Sequence, residues 1–191
     1  MAIPNDDLLA ITPTAIIELF ELAFVPALHG ASTVLKFHNG TSLNNNGDIV
    51  FGGGDPYIKF PIECTGFEYS GSGGQLPTPT VTVSNMSGFI TSQLLSITGI
   101  ATDLVGAKFT RIRTLAKFID NANFASGTNP FGTPSSTTKF PDEVYFVDRK
   151  ITETRDIVQW QLHSALDLVN VKLPKRITSP RLFPSIGKFV G

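Results

Sequence analysis

Apolar and polar positions alternate along most of this chain, a spacing that predicts strands rather than helices. The best-defined pair is DEVYFVDRKI and DIVQWQLHSA around the polar turn TETR, where Val158, Trp160 and Leu162 alternate with Gln159, Gln161 and His163. One face of such a hairpin is buried, and the other is wet or meets a partner. AKFTRIRTLAKFID places Phe109, Arg111, Arg113 and Leu115 on one face and Thr110, Ile112, Thr114 and Ala116 on the other. TVLKFH reads as a strand, and the Asn-Gly pairs at 39–40 and 46–47 of the following NGTSLNNNGD are turn formers. IVF, the glycines at 52–54 and YIKF continue a meander of short strands.

Residues 59–85, KFPIECTGFEYSGSGGQLPTPTVTVSN, hold a strand-like run, a glycine-serine hinge and a Thr/Val strand bracketed by proline. Gly71, Gly73 and Gly74 permit backbone angles that other residues resist. Pro77 and Pro79 hold the chain extended as it enters TVTVSN. The segment predicts two strands that cross between layers, with a flexible strip between them that could be a contact surface. After it the period changes. Met86, Ile90, Leu94 and Ile97 recur at four, four and three, the stripe of an amphipathic helix. Near the N-terminus the pattern leaves two readings: Thr12 and Pro13 could open a helix, yet Phe20, Leu22 and Phe24 share one face as a strand. SGTNPFGTPSSTT is a long loop of the kind usually functional or mobile.

The last segment differs from all of these. From Asn170 to Gly191 there is no Asp or Glu, while Lys172, Lys175, Arg176, Arg181 and Lys188 are all positive. Pro174, Pro180 and Pro184 forbid a continuous helix or central strand. The chain therefore divides into a β-rich domain, residues 1–176, and an extended basic docking arm, residues 177–191. Arg181, Phe183, Ile186 and Phe189 are its candidate interface residues, since the apolar ones need a place to be buried.

Composition sharpens this picture. Of the 191 residues 41% are hydrophobic and only 16% charged, against a usual charged share of about 25%. A folded chain with so little surface charge expects partners. The net charge of −1 recommends neither nucleic acid nor an anionic membrane. Fifteen phenylalanines against one tryptophan and three tyrosines argue against a sugar-stacking platform. The single cysteine, Cys64, excludes an internal disulfide and any multi-cysteine zinc or iron–sulfur site within these residues. No stretch is apolar enough to span a membrane as a helix. MAIPNDDLLAITP lacks the basic start of a signal peptide, so a protein made and kept in the cytosol, or assembled there, is expected.

Catalytic signatures are missing. Nucleophilic catalysis needs a base beside the nucleophile, and His29, His38 and His163 carry no local signature with Cys64. Cys64 alternates with large residues of a strand and reads as a small buried hydrophobe. His163 reads as an outer-face hydrogen-bonding residue. The glycines at 52–54 and 71–74 lead into strands or prolines rather than a helix, so they are turns and not phosphate cradles. Asp142 with Glu143, and Glu153 with Asp156, fall at strand ends and a turn, where acids are expected anyway.

Several strings, taken in order, resemble the minor tail protein L family of lambda-like long-tailed phages. They are ELFELAF, PIECTGFEYSGSGGQLPTPTVTVSNMSG, LAKFIDNANFASGTNPFG, VYFVDRKITETRDIVQWQLHSALDL and LPKRI. The likeness runs over about residues 15 to 178 and tips the N-terminal ambiguity towards a strand. It implies a β-barrel-like hub domain, mainly β with one flanking helix. It also implies a place at the tail tip, or baseplate hub, of a virion. There the family forms a ring, a homotrimer, between the distal end of the tail tube and the central fibre or host-recognition protein. The family pattern continues past its Pro-x-Arg into a cysteine-rich module holding an iron–sulfur cluster. Here Lys175 and Arg176 are followed by ITSPRLFPSIGKFVG, with Phe183 at about the place of the first ligand. Either this phage lacks that module or the chain continues beyond these residues, and no cofactor or metal ligand is carried over. The rival readings are a small β-barrel hydrolase acting on cell-wall material during entry, and a carbohydrate-binding module.

Overall fold

Pairing along its whole length settles the N-terminal segment as strand β1 (Ile16–Ala23). It runs antiparallel to β6 (Lys108–Leu115), from Ile16 opposite Leu115 to Ala23 opposite Lys108. The computed structural model describes residues 3–11, 13–40, 47–68, 76–101 and 103–165. The other strands are β2 (Val34–His38), β3 (Ile58–Lys59), β4 (Ile62–Thr65), β5 (Thr80–Ser84), β7 (Glu143–Glu153) and β8 (Ile157–Ser164). They form one 8-stranded sheet in the order β3-β2-β1-β6-β7-β8-β5-β4.

The two ends of that order are consecutive in the chain, separated only by Phe60 and Pro61. Phe60 N–H donates to the His38 carbonyl on β2 at 3.0 Å, whereas the Pro61 carbonyl accepts from Ser84 N–H on β5 at 2.9 Å. Main-chain groups of successive strand residues point to opposite sides, so those of Phe60 serve β2 and that of Pro61 serves β5. The chain therefore leaves one edge of the sheet and joins the other, and the sheet curls into a barrel-like form. Its interior holds Leu22, Phe37, Ile62, Val81, Phe109, Val147, Trp160 and Leu162, all buried. The expected face of Phe20, Leu22 and Phe24 is buried in this same cluster.

After the one-turn helices α1 (Asn5–Leu8) and α2 (Pro26–His29), helix α3 (Phe89–Leu95) stands beside the barrel and buries Ile90 and Leu94, with Ile97 following. Burying each such side chain contributes about 1.5–3 kcal/mol. Seven residues make no stable helix alone, so this packing is what holds it. Met86 is a correction, because it is exposed and precedes the helix. Asn85 causes this. Its carbonyl accepts from Gly88 N–H at 2.8 Å, and its side chain binds Thr91 N–H at 3.2 Å, so the helix begins only after Gly88. The Asn85 amide also donates to Thr91 Oγ1 and to the Thr154 carbonyl, which fastens α3 to the β7–β8 turn.

The second face of β1 and β6 carries its own core of Leu19, Ile49, Phe51, Tyr57, Ile112 and Ile119. It is covered by residues 47–57 and by the segment after β6. The predicted strands in IVF and YIKF reduce to a bridge between Ile49 and Tyr57 and to the two residues of β3. Positive φ at Gly52 and Gly53 turns the chain before a longer strand can form. The crossing of strands between layers over 59–85 is also corrected. β4 and β5 are antiparallel neighbours in one sheet, Ile62 opposite Val83 and Thr65 opposite Thr80. Gly71, Gly73 and Gly74 lie outside the described residues. The loop 126–138 is tied down by Asn129, whose amide donates to the carbonyls of Ala116, Lys117 and Ile119 at 3.0–3.1 Å.

At the end of the barrel near α3, short helix α2 (Pro26–His29) is locked by a buried ring. Val25 N–H donates to His29 Nδ1 at 2.9 Å, so Nε2 carries the proton and donates to the Val105 carbonyl at 3.2 Å. Gly99 lies against this helix so closely that an added Cβ would sit 2.1 Å from the Leu28 carbonyl oxygen.

Candidate interaction surface

The sequence-predicted chemical residues are scattered rather than gathered. His29 serves as a main-chain clamp. His38 is fully buried, with Nε2 2.8 Å from the Gly47 carbonyl and Nδ1 unpartnered. Burial lowers its pKa from the ordinary 6.5, more than the Gly47 carbonyl and Asp48 raise it, and Lys59 lowers it further. His163 lies on the outer side of β8, stacked on Phe146 and 3.9 Å from Asp148. Cys64 packs half-buried against the barrel core. Burial pushes its thiol up to about 12, against the pull of Arg111 and with the help of Glu18 and Glu63. Among the described residues none of these histidines hydrogen-bonds to Cys64, and no three His, Cys, Asp or Glu side chains gather as a metal site requires. Arg181, Phe183, Ile186 and Phe189 lie outside the described residues, as does the rest of the arm.

Sequence reasoning missed a charged cluster between β1, β6 and β7. Arg111 donates to Glu18 and, at 3.2 Å, to Glu143, while Arg113 donates to the other oxygen of Glu143 at 2.5 Å. Phe67, just after β4, lies over the Arg111 guanidinium at 4.6 Å and against the Tyr145 ring at 5.4 Å. Burial opposes the charge on Arg111, but the hydrogen bond and charge of Glu18, followed by those of Glu143, more than offset it and raise its pKa. A signal was available: Arg111 and Arg113 share a strand face with Phe109 and Leu115, and arginines on a buried face need acids opposite them. Glu143 is thus an ion-pair partner, and Asp142 is paired with Lys139 at 2.7 Å. Glu153 is held by Lys150 at 2.5 Å. These carboxylates neutralise cations.

Beside this cluster opens a groove of about 880 Å³. Its walls are Pro13 to Glu18 and Phe20 on one side, Ile62, Glu63 and Cys64 of β4 on the other, with Asn39, Gly40, Ala116 and Phe131 between. Two apolar side chains of its lining, Ile16 and Phe131, are about half exposed, and Ile11, two residues before Pro13, is fully exposed. Its charged lining is acidic, Glu18 and Glu63. The surface suits contact with another chain, because large apolar groups stand out around a few charges.

The profile of the phage minor tail protein L family matches residues 28–182, most of the chain. The chain belongs to that family. It is a tail protein of the phage virion, and its role there is structural. A relative, the tail tip protein L of Escherichia phage lambda, is 37% identical over 94 residues, covering 48% of this chain and 37% of that protein. The matched part thus spans little more than a third of the relative's length. The motif strings of this tail protein can now be placed. PTVTVSN is β5 ending in the Asn85 elbow, and FIDNANF is the segment in which Asp120 and Asn123 hold the glycine turn at 52 and 53. No helix among the described residues is long and apolar enough to cross a membrane.

Proposed function

We propose that this protein is a ring-forming, non-enzymatic subunit of the tail tip, or baseplate hub. The ring, a homotrimer, joins the distal end of the tail tube to the central fibre or host-recognition protein and is assembled in the host cytoplasm. The observation that carries the reading is the uncovered apolar rim formed by Ile16 and Phe131 of the groove, with Ile11 fully exposed two residues before its wall begins, on a member of a tail-protein family. Permanent interfaces are larger and more apolar than transient ones, and such a rim is what they cover. Within these residues the role uses no iron–sulfur cluster. The only cysteine is Cys64, whose half-buried thiol resists the ionisation that a metal ligand needs. The arm 177–191 acts as a docking segment through Arg181, Phe183, Ile186 and Phe189. A density map of intact virions tests the proposal: copies of the chain in mutual contact around the tail axis are expected, and a single isolated copy would overturn it.

A further inference from the structure

We infer that the groove along the free edge of β4 is the seat of the C-terminal segment, residues 177–191, of a neighbouring copy of this chain. The inference rests on the ring reading and names the contact that would build the ring. Three observations carry it.

The first is the edge itself. Among the described residues β4 is the last strand of the sheet, with β5 as its sheet neighbour. Because the Pro61 carbonyl faces β5, alternation turns the main-chain groups of Glu63 towards β5 and those of Ile62 and Cys64 towards the groove. Among the described residues no neighbour on that side bonds to the main chain of Ile62 or Cys64, so an extended segment entering there meets the geometry of strand addition. Residues 185–191, SIGKFVG, contain no proline and can supply their own N–H groups to such a pairing.

The second is charge. Glu63 and Glu18, the latter already paired with Arg111, are the charged residues of the groove wall, and the segment 177–191 carries two cations, Arg181 and Lys188, and no acid. Its apolar residues Phe183, Ile186 and Phe189 match the apolar remainder of the wall. The third is extent. β8 ends at Ser164, leaving a further 27 residues of sequence, of which the arm is the last stretch. A short segment of the same chain would fill the groove but leave Ile11, which is fully exposed and outside the groove lining, in water. A neighbouring subunit covers both the groove and its rim. An arm of one copy in a groove of the next is a heterologous contact, the kind that closes into rings.

The test uses the full chain with the photo-crosslinker p-benzoylphenylalanine replacing Phe183 or, separately, Phe189. The products are sized under denaturing conditions and mapped by mass spectrometry. Adducts between subunits, mapping to residues 13–20 or 62–64, are the expected result. An adduct to the groove within one chain would overturn the neighbour, and adducts elsewhere would overturn the seat. Native mass spectrometry of the same samples separates the two levels. A ring whose adducts avoid the groove defeats this inference alone, whereas a monomer at every concentration defeats the ring. Glu63 is exposed, so Glu63→Lys should fold. It is expected to lower the adduct yield about fivefold at low salt. An unchanged yield would overturn recognition by charge.

Discussion

Asn123 gives Val50 the two hydrogen bonds that a neighbouring strand would give it. Val50 N–H donates to Asn123 Oδ1 at 2.7 Å, and Asn123 Nδ2 donates back to the Val50 carbonyl at 2.7 Å. The second amide hydrogen goes to the Asp120 carbonyl at 2.8 Å, and the Asp120 carboxylate accepts from Gly53 N–H at 2.7 Å. One Asp and one Asn three residues apart therefore hold the turn that carries Ile49 and Phe51 onto the outer face of β1 and β6. The relationship has a function at one remove, because that outer core supports the strand whose first half walls the groove.

Asn123→Ala should consequently be costly. It leaves the Val50 N–H without its partner and the Val50 carbonyl with only the 3.4 Å contact from Asp120 N–H, so a loss of about 1–3 kcal/mol is expected in chemical denaturation. Asn123→Asp is the sharper variant. It keeps the acceptor for Val50 N–H but sets a carboxylate against the Val50 and Asp120 carbonyls. It should destabilise at least as much as alanine. Stability within about 0.5 kcal/mol of the parent would show that the Asn123 donor does not matter.

His38 predicts a pH dependence. Its folded pKa lies below the ordinary 6.5 because burial disfavours the charged ring. As pH falls through 6.5 the unfolded chain takes up a proton that the folded chain refuses, so stability falls with pH. The loss continues down to the folded pKa, below which both states bind the proton. Thermal melts from pH 7 to pH 5 should therefore drop more steeply for the parent than for His38→Gln, whose amide can still donate to the Gly47 carbonyl. Parallel slopes for the two proteins would remove His38 from the account.

Cys64 should be a slow thiol. A rise from 9.0 to about 12 cuts the thiolate present at pH 8 by about a thousandfold, and the greater nucleophilicity of a more basic thiolate restores roughly twenty- to thirtyfold. Reaction with Ellman's reagent is expected on the order of fiftyfold slower in the native protein than in urea. Equal rates would mean that the thiol is not held against the core.

The strands were legible because alternation is local. Val158, Trp160 and Leu162 needed only each other to declare a buried face, and Phe20, Leu22 and Phe24 did the same once helix and strand were decided. The curl of the sheet was not legible. It depends on Phe60 bonding to His38 on β2 and Pro61 to Ser84 on β5, and nothing near Pro61 in sequence marks that hand-over. The helix boundary was misread at Met86 because periodicity is blind to a side chain such as Asn85 capturing Thr91. The site was less legible still. Glu18, Arg111 and Glu143 come from three strands, and the groove exists only where β1 and β4 approach without pairing.

Arg111 supplies the last prediction, a comparison of its two carboxylates. Glu18 makes the shorter contact and is the larger influence on the guanidinium, yet its side chain is 42% exposed, against 21% for Glu143. Exposure decides how much of a charge interaction survives screening, so distance should be the poorer guide. Double-mutant cycles pairing Arg111→Met with Glu18→Gln and with Glu143→Gln should each give a coupling on the order of 1 kcal/mol at low salt. Raising the salt to about 1 M, where the screening length shrinks to about 3 Å, should remove most of the Glu18 coupling and spare most of the Glu143 coupling. Arg111→Lys should lose both, since a single ammonium cannot reproduce a planar fork that meets two carboxylates beneath the Phe67 ring. Equal salt sensitivity of the two couplings would mean that the groove-side and β7-side charges see the same solvent. The charged cluster would then be a surface network rather than a semi-buried one beside the interaction groove.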